Sequence, residues 1–364
     1  MSFSFPQPKR ILVAPLDWGL GHATRCIPII RELTALGCEV LIGAEGKHAA
    51  LLQQEFPRLS ILPLPGYRIT YADKGSGFGI KMLRQVPKLG KAIRRERRWL
   101  EEMVIEYKID AVISDNRLGL FHKRIPCVIM THQLLVKSPF HPSTDRWLQR
   151  INYFFINRFR ECWVVDFEGP ANLAGILSHP KHMPRHVRYL GALSRFESLP
   201  GIEKKYDLLV LISGPEPQRT HFEKSILRQL PQLPLKALVV SGQPGNTYDR
   251  MISATVRQVN HLDAGALAAA IDAAALVLTR SGYTTVMDLV RMRKKAVLVP
   301  TPGQTEQVYL GDYLMQKGYF YSVAQEGFAL EQTLQACRNF RFQPLPEADM
   351  EQYKAVVTEF VKSL

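Results

Sequence analysis

Along the whole chain, short runs of apolar residues alternate with stretches in which apolar positions recur every three or four residues. Residues 11–14 form the first run, and Ile27, Ile30, Leu33 and Leu36 then repeat at helical spacing. Further runs occupy residues 39–42, 111–114, 127–130 and 162–165. After a polar, proline-bearing stretch at about residues 194–205 the rhythm restarts, with runs at 208–212, 237–240, 276–278 and 296–299. Buried strands separated by helices are the mark of parallel βαβ construction. The pattern predicts an α/β chain of two Rossmann-like, doubly wound domains, residues 1–190 and 206–349, facing a central cleft. A last helical stretch, 350–364, is expected to pack back on the first. At 364 residues and 46% hydrophobic content the chain is long and apolar enough for two cores.

The first strand runs into Trp18-Gly19-Leu20-Gly21-His22-Ala23-Thr24-Arg25. Glycines at a strand-to-helix turn let a ligand approach the backbone, and the helix start offers free N–H groups and positive dipole charge. Gly19 and Gly21 therefore read as an anion site, with His22 and Arg25 placed for chemistry. A dinucleotide fold opens in a similar way, and Glu45 near the end of the second strand is where an NAD ribose partner would stand. Against that reading, Thr24 replaces the third glycine and the bulky His22 follows the second.

Ligands of doubly wound sheets bind in the loops that follow strands. In the second half these are residues 213–219, 241–245, 279–282 and 300–307, and all four contain glycine. Ser213, Gly214, Arg219, Gly242, Arg280, Ser281 and Gly282 are the candidates for holding a nucleotide diphosphate. Asp288 lies two helical turns beyond Gly282, where a carboxylate can accept both hydrogen bonds of a ribose diol. The bland alternative is an exposed helical acid.

Charge sharpens the contrast between the halves. The chain carries +14, and residues 1–190 hold 28 Lys+Arg against 16 Asp+Glu, leaving only +2 for the rest. Residues 81–99 are the densest block, with Lys81, Arg84, Lys88, Lys91, Arg94, Arg95, Arg97 and Arg98 among apolar residues at helical spacing. Such a segment fits an anionic membrane surface, or else a solvated helix face. Nucleic acid is disfavoured because stacking aromatics are sparse there. Pro87 and Gly90 predict a kink, and Gly75-Ser76-Gly77-Phe78-Gly79 a mobile approach. Five scattered cysteines without a Cys-x-x-Cys pair fit a reducing, cytoplasmic setting. The first residues lack signal-peptide character and no run of about 18 apolar residues occurs, so any membrane contact is expected to be peripheral.

Taken together, these motifs resemble the GT-B glycosyltransferases of the MurG-like family 28, which includes the monogalactosyldiacylglycerol synthases. Gly19-Leu20-Gly21-His22 is similar to that family's first glycine loop. Arg280-Ser281-Gly282-Tyr283-Thr284-Thr285-Val286-Met287-Asp288 resembles its Arg-Ser-Gly-x-x-Thr-x-x-Glu signature, with Asp for Glu. Residues 300–307, ending in Glu306-Gln307, resemble its proline-rich loop against the donor sugar. Thr131-His132-Gln133 is similar to a stretch on the acceptor side, and Leu262 falls where the family reads uracil through backbone groups. The resemblance implies an inverting transfer from a UDP-sugar to a lipid-linked or other cell-envelope acceptor, with His22 as the base. No further cofactor is implied, and the absence of any Asp-x-Asp leaves a metal clamp without evident ligands. Two departures stand out: Pro215 and Pro217 interrupt what is a glycine-rich phosphate loop in MurG, and Val308 stands where MurG has a second glutamine. The rivals are a UDP-sugar 2-epimerase of similar fold and a non-catalytic protein that binds anionic surfaces.

Overall fold

The computed structural model describes residues 7–67, 78–137, 142–198, 201–243 and 248–364, with backbone alone at 78–87 and 142–143. Gly75, Ser76 and Gly77, Pro244 and Gly245, and the side chains of Lys81 and Arg84 lie outside what is described. Two compact units emerge: one takes the chain up to Ser194 together with Ala348–Leu364, the other runs from Arg195 to Glu347.

The first unit is built on seven strands: β1 (Arg10–Pro15), β2 (Glu39–Ala44), β3 (Ser60–Pro63), β4 (Ala111–Asp115), β5 (Cys127–Thr131), β6 (Glu161–Val164) and β7 (Val187–Tyr189). They pair in parallel in the order β3-β2-β1-β4-β5-β6-β7. Central strands need apolar residues on both faces, which is why the sequence shows them as unbroken runs: Ile11, Leu12, Val13 and Ala14 are fully buried. Helices α1 (Leu20–Ala35), α2 (Gly46–Glu55), α3 (Phe78–Glu106) and α4 (Pro142–Ile156) supply the connections.

In the second unit the strands are β8 (Tyr206–Leu211), β9 (Ala237–Val240), β10 (Asp249–Met251), β11 (Val256–Val259), β12 (Ala274–Thr279), β13 (Ala296–Leu298) and β14 (Tyr321–Ser322). Their order is β10-β11-β9-β8-β12-β13-β14, parallel except for the β10–β11 pair. Helices α5 (Gln218–Gln229), α6 (Ala264–Ala273), α7 (Tyr283–Arg291), α8 (Thr305–Gln316) and α9 (Leu330–Asn339) belong to it. The last helix, α10 (Gln352–Lys362), packs on α1 of the first unit. There Phe360 meets Trp163 edge-on at 5.4 Å and Gln352 donates to the Tyr189 carbonyl at 3.1 Å.

Helix α3 runs unbroken through Pro87 and Gly90, the two positions at which the sequence predicts a kink. A proline inside a helix costs about 3 kcal/mol, and the C-terminal half of α3 is anchored strongly enough to offset it. Ala92, Ile93 and Leu100 face the core, and Glu96 is buried against Arg117, with Nε donating to Oε1 at 2.6 Å. The Tyr67 hydroxyl and the Gly119 amide complete that carboxylate's partners at 2.7 and 3.1 Å.

Candidate functional site

Strand β1 lies between β2 and β4, so the chain turns in opposite directions after β1 and β4, and a crevice opens at their carboxyl ends. That is where the glycine turn stands. Gly19 has φ +74° and N-caps α1, and the His48 ring donates to its carbonyl at 2.9 Å. Thr24, in place of a third glycine, bonds back to the Gly21 carbonyl at 3.0 Å. Within the first turn of α1, His22 meets Asp115, the last residue of β4: Nδ1 lies 2.8 Å from Oδ2. Arg25, one turn further, donates through Nε to the same carboxylate oxygen at 2.9 Å and through Nη2 to the other. Its Nη1 donates to Nδ1 of His132 at the end of β5, at 3.0 Å.

Asp115 is wholly buried, and the side chain of His22 is 14% exposed. Burial by itself raises the Asp115 carboxyl, but Arg25 and His22 beside it hold it below the ordinary carboxylate range. Burial, then Arg25, lowers His22 below its usual value. Its imidazole is therefore neutral at pH 7. An ionised Asp115 can only accept, so Nδ1–H donates to it, and in that tautomer Nε2 is left as a proton acceptor. Sequence reasoning missed Asp115, whose only signal was an acid ending an apolar run.

Two other carboxylates of the turn have structural work. Asp17 accepts the Tyr67 amide at 3.0 Å and Glu45 the Gly66 amide at 2.6 Å. A Cβ at Gly66 would fall 2.1 Å from the Asp17 carboxylate. Glu45 thus pins a loop, which removes the support it lent to an NAD ribose.

The second unit repeats the geometry. β8 lies between β9 and β12, so the loops after β8 and β12 flank its own switch point. Ser213 and Gly214 are exposed there, Gly214 at φ +109°. A Cβ on Gly214 would lie 3.5 Å from Thr301 Oγ1 and 4.0 Å from Arg280 Nε. Both atoms are buried without a hydrogen-bond partner, so donors converge on a spot that glycine leaves open. The α5 N-terminus contributes less: the Pro215 carbonyl takes the Arg219 amide at 3.0 Å and the Glu216 carboxylate the Thr220 amide at 3.2 Å.

Several expected donor-site residues prove to be tied into the protein. The Arg219 guanidinium donates to Glu223 at 3.1 and 3.2 Å and to the Ser241 carbonyl at 3.2 Å. Arg219, a candidate for holding the diphosphate, is thus already paired with the Glu223 carboxylate. Arg280 donates to the carbonyls of Val299 and Gln218 at 3.1 and 3.0 Å and lies over the Phe222 ring, clamping two of the loops together. Burial lowers it to about 10, so it keeps its charge at neutral pH. Ser281 donates to the Gln307 carbonyl at 2.8 Å, and the Gln307 side chain accepts the Thr301 amide at 2.9 Å. Gln307 therefore shapes the loop that presents Thr301. Gly242, at φ +65°, would bring a Cβ to 2.6 Å from the Ile212 carbonyl, so the loop after β9 requires glycine. Gly282 N-caps α7, whose half-exposed positions Thr284, Thr285 and Asp288 share one face. Glu306 is half-buried in the first turn of α8, and Leu262 lies just before Asp263, the N-cap of α6. Among the described residues no cluster of three or more His, Cys, Asp or Glu is placed to hold a metal.

Residues 221–363 match the family profile described as the glycosyltransferase family 28 C-terminal domain. Among solved structures, the chain is similar to the glycosyltransferase SnogD from Streptomyces nogalater at 15% identity and a TM-score of 0.58, covering 98% of this chain and 96% of that one. It is similar to MurG from Acinetobacter baumannii at 15% identity and a TM-score of 0.55, covering 98% and 100%. A third likeness, at 16% identity and a TM-score of 0.59, is to SsfS6 from Streptomyces sp. SF2575 in complex with thymidine diphosphate, covering 98% and 96%. No curated protein matches the sequence significantly. Two parallel-dominated, doubly wound sheets with their helices are the GT-B fold, and the chain is a glycosyltransferase. The family 28 match itself is confined to residues 221–363.

Proposed function

We propose that the protein is an inverting glycosyltransferase that moves a sugar from a UDP-sugar to a lipid-linked or other cell-envelope hydroxyl, with no metal in the step. The observation that carries this reading is the His22–Asp115 pair at the first switch point. Asp115 holds the Nδ1 proton, and His22 Nε2 removes the proton of the acceptor hydroxyl as its oxygen attacks the anomeric carbon from the face opposite the diphosphate. The anomeric C–O bond breaks and the electron pair leaves with UDP. The amides of Ser213 and Gly214, the Thr301 hydroxyl and Arg280 Nε would receive that charge; preorganised donors need no rearrangement as charge develops. Asp288 would hold the ribose diol, backbone groups around Leu262 the uracil, and Glu306 the sugar. The exposed basic face of α3 (Lys88, Lys91, Arg94, Arg95 and Arg98) supports attraction to an anionic membrane, where a lipid-linked acceptor resides.

Calorimetry with UDP on wild type and Asp288→Ala tests the donor site. Hydrogen bonds to a charged group are worth about 1.5–3 kcal/mol, so affinity should fall roughly 10- to 150-fold. Equal affinities would remove Asp288 from the site, and tighter binding of dTDP than UDP would replace the nucleotide. Incubation with UDP-sugar alone separates the 2-epimerase rival, which would yield an epimer without any acceptor.

A further inference from the structure

Helix α4 buries one face and leaves another bare. Inward, Asn152 donates to the carbonyls of Gln133 and Leu134 at 3.3 and 3.4 Å, the Tyr153 hydroxyl donates to the His182 carbonyl at 2.6 Å, and Ile156 joins the core. Outward, Trp147, Ile151 and Phe154 follow one another at intervals of four and three residues and are 56%, 36% and 60% exposed. At 100° per residue they fall within about 60° of arc. Large apolar side chains are normally scattered on a soluble surface, so three in one stripe call for a partner.

Charge indicates which partner. Arg146 and Arg150 are exposed on the flank of the stripe, and the Arg158 guanidinium lies 4.3 Å from the centre of the Phe154 ring. The one acid of α4, Asp145, falls on the inward side by helical phase. Aromatic rings with arginines at their edge suit the headgroup level of an anionic bilayer, where the rings enter the acyl boundary and the guanidiniums meet phosphate. A second copy suits the stripe poorly, because a two-fold contact sets the same arginines against each other with no acid on the face to pair them. Helix α3 differs: Ala92, Ile93 and Leu100 point into the core and Ile105, near its C-terminal end, is the one large apolar side chain exposed among its described residues, so its basic face can attract a bilayer but offers no aromatic stripe to insert. None of the described helices is long and apolar enough to cross a membrane.

We propose that α4 is the membrane-inserting element of the first unit, seating Trp147, Ile151 and Phe154 in the interface of an anionic bilayer while α3 contributes long-range attraction. This goes beyond the acceptor reading and does not depend on it. The test is co-sedimentation with phosphatidylglycerol vesicles and with phosphatidylcholine vesicles. Wild type is compared with Trp147→Ser/Phe154→Ser and with Arg94→Gln/Arg95→Gln/Arg98→Gln, all first shown to melt normally. Removing two aromatic rings from an inserted helix should lower partitioning on phosphatidylglycerol at least roughly tenfold. Lipids brominated in their acyl chains should quench tryptophan fluorescence in wild type and lose most of that quenching in Trp147→Phe. Unchanged binding of the α4 variant together with loss in the α3 variant would overturn the proposal in favour of a purely electrostatic contact. So would absence of vesicle binding by wild type, or a dimer in light scattering that only the α4 variant abolishes. Transfer to a detergent-solubilised lipid acceptor separates the two readings: the α4 variant should retain it, and its absence in wild type would count against the acceptor alone.

Discussion

At the scale of single residues, His22 shows how a helix start is turned into a base. Its ring is held by Asp115 and crowded by Arg25, and a neutral imidazole is the result. His22→Ala should lower kcat roughly 10²- to 10⁴-fold with UDP affinity unchanged, since a general base acts only on the acceptor in the transition state. Asp115→Asn should cost about 10- to 150-fold, the worth of a hydrogen bond to a charged group. The pH dependence follows from the direction of the shift. The active form of the base is unprotonated, and its pKa is lowered, so kcat/KM should fall on the acid side with a midpoint below the usual histidine value of about 6.5. An acid limb centred at or above that value in a pH–rate profile would point to a different base. In the second unit, Thr301→Val should weaken UDP about 10-fold or more and leave uridine untouched. Titration of both ligands checks this, and equal losses would mean that Thr301 only shapes its loop.

At the scale of elements, α3 owes its position to a buried ion pair more than to its own sequence preference. Breaking such a pair leaves a desolvated charge behind, so Glu96→Ala should destabilise the protein by about 3–5 kcal/mol. Arg97→Gln removes an exposed i,i+4 contact to Glu101 and should cost under about 1 kcal/mol. Chemical denaturation of both variants is the measurement, and similar losses would mean that α3 is held by its apolar face alone. The sequence marked β1, β2, β4, β5 and β6 in the first sheet and β8, β9, β12 and β13 in the second, because double-sided burial demands unbroken apolar runs. It did not mark the edge strands β3, β7, β10 and β14, of which β10 is wholly exposed, nor the interior β11, where Arg257 and Gln258 interrupt the apolar run between Val256 and Val259. Edge strands need only one apolar face or none, so their hydrophobic signal is weak.

At the scale of the whole molecule, two sheets each turn about their own switch point, and the proposed division of labour sets the base in the first unit and the donor site in the second. UDP at about 100 times its Kd should add roughly 2.7 kcal/mol to stability. Hydrogen exchange should slow in the loops after β8, β12 and β13, and protection confined to the first unit would reverse the assignment. What the sequence determined by itself was local: the strand rhythm, the glycines that permit close approach, and the residues at each strand-to-helix turn, His22 and Gly282 among them. These were legible because their physics lies within a few residues of the chain. Tertiary structure alone decided which turns become neighbours. Asp115 reaches His22 only because β4 pairs beside β1, 93 residues away along the chain. Thr301 approaches Gly214 because β8, β12 and β13 are adjacent, and Glu223 claims Arg219 because both lie one turn apart on α5 beneath that loop. Neither the partner of a buried charge nor the exposure of Trp147 on α4 is encoded in a spacing, because each depends on what the rest of the fold packs against it.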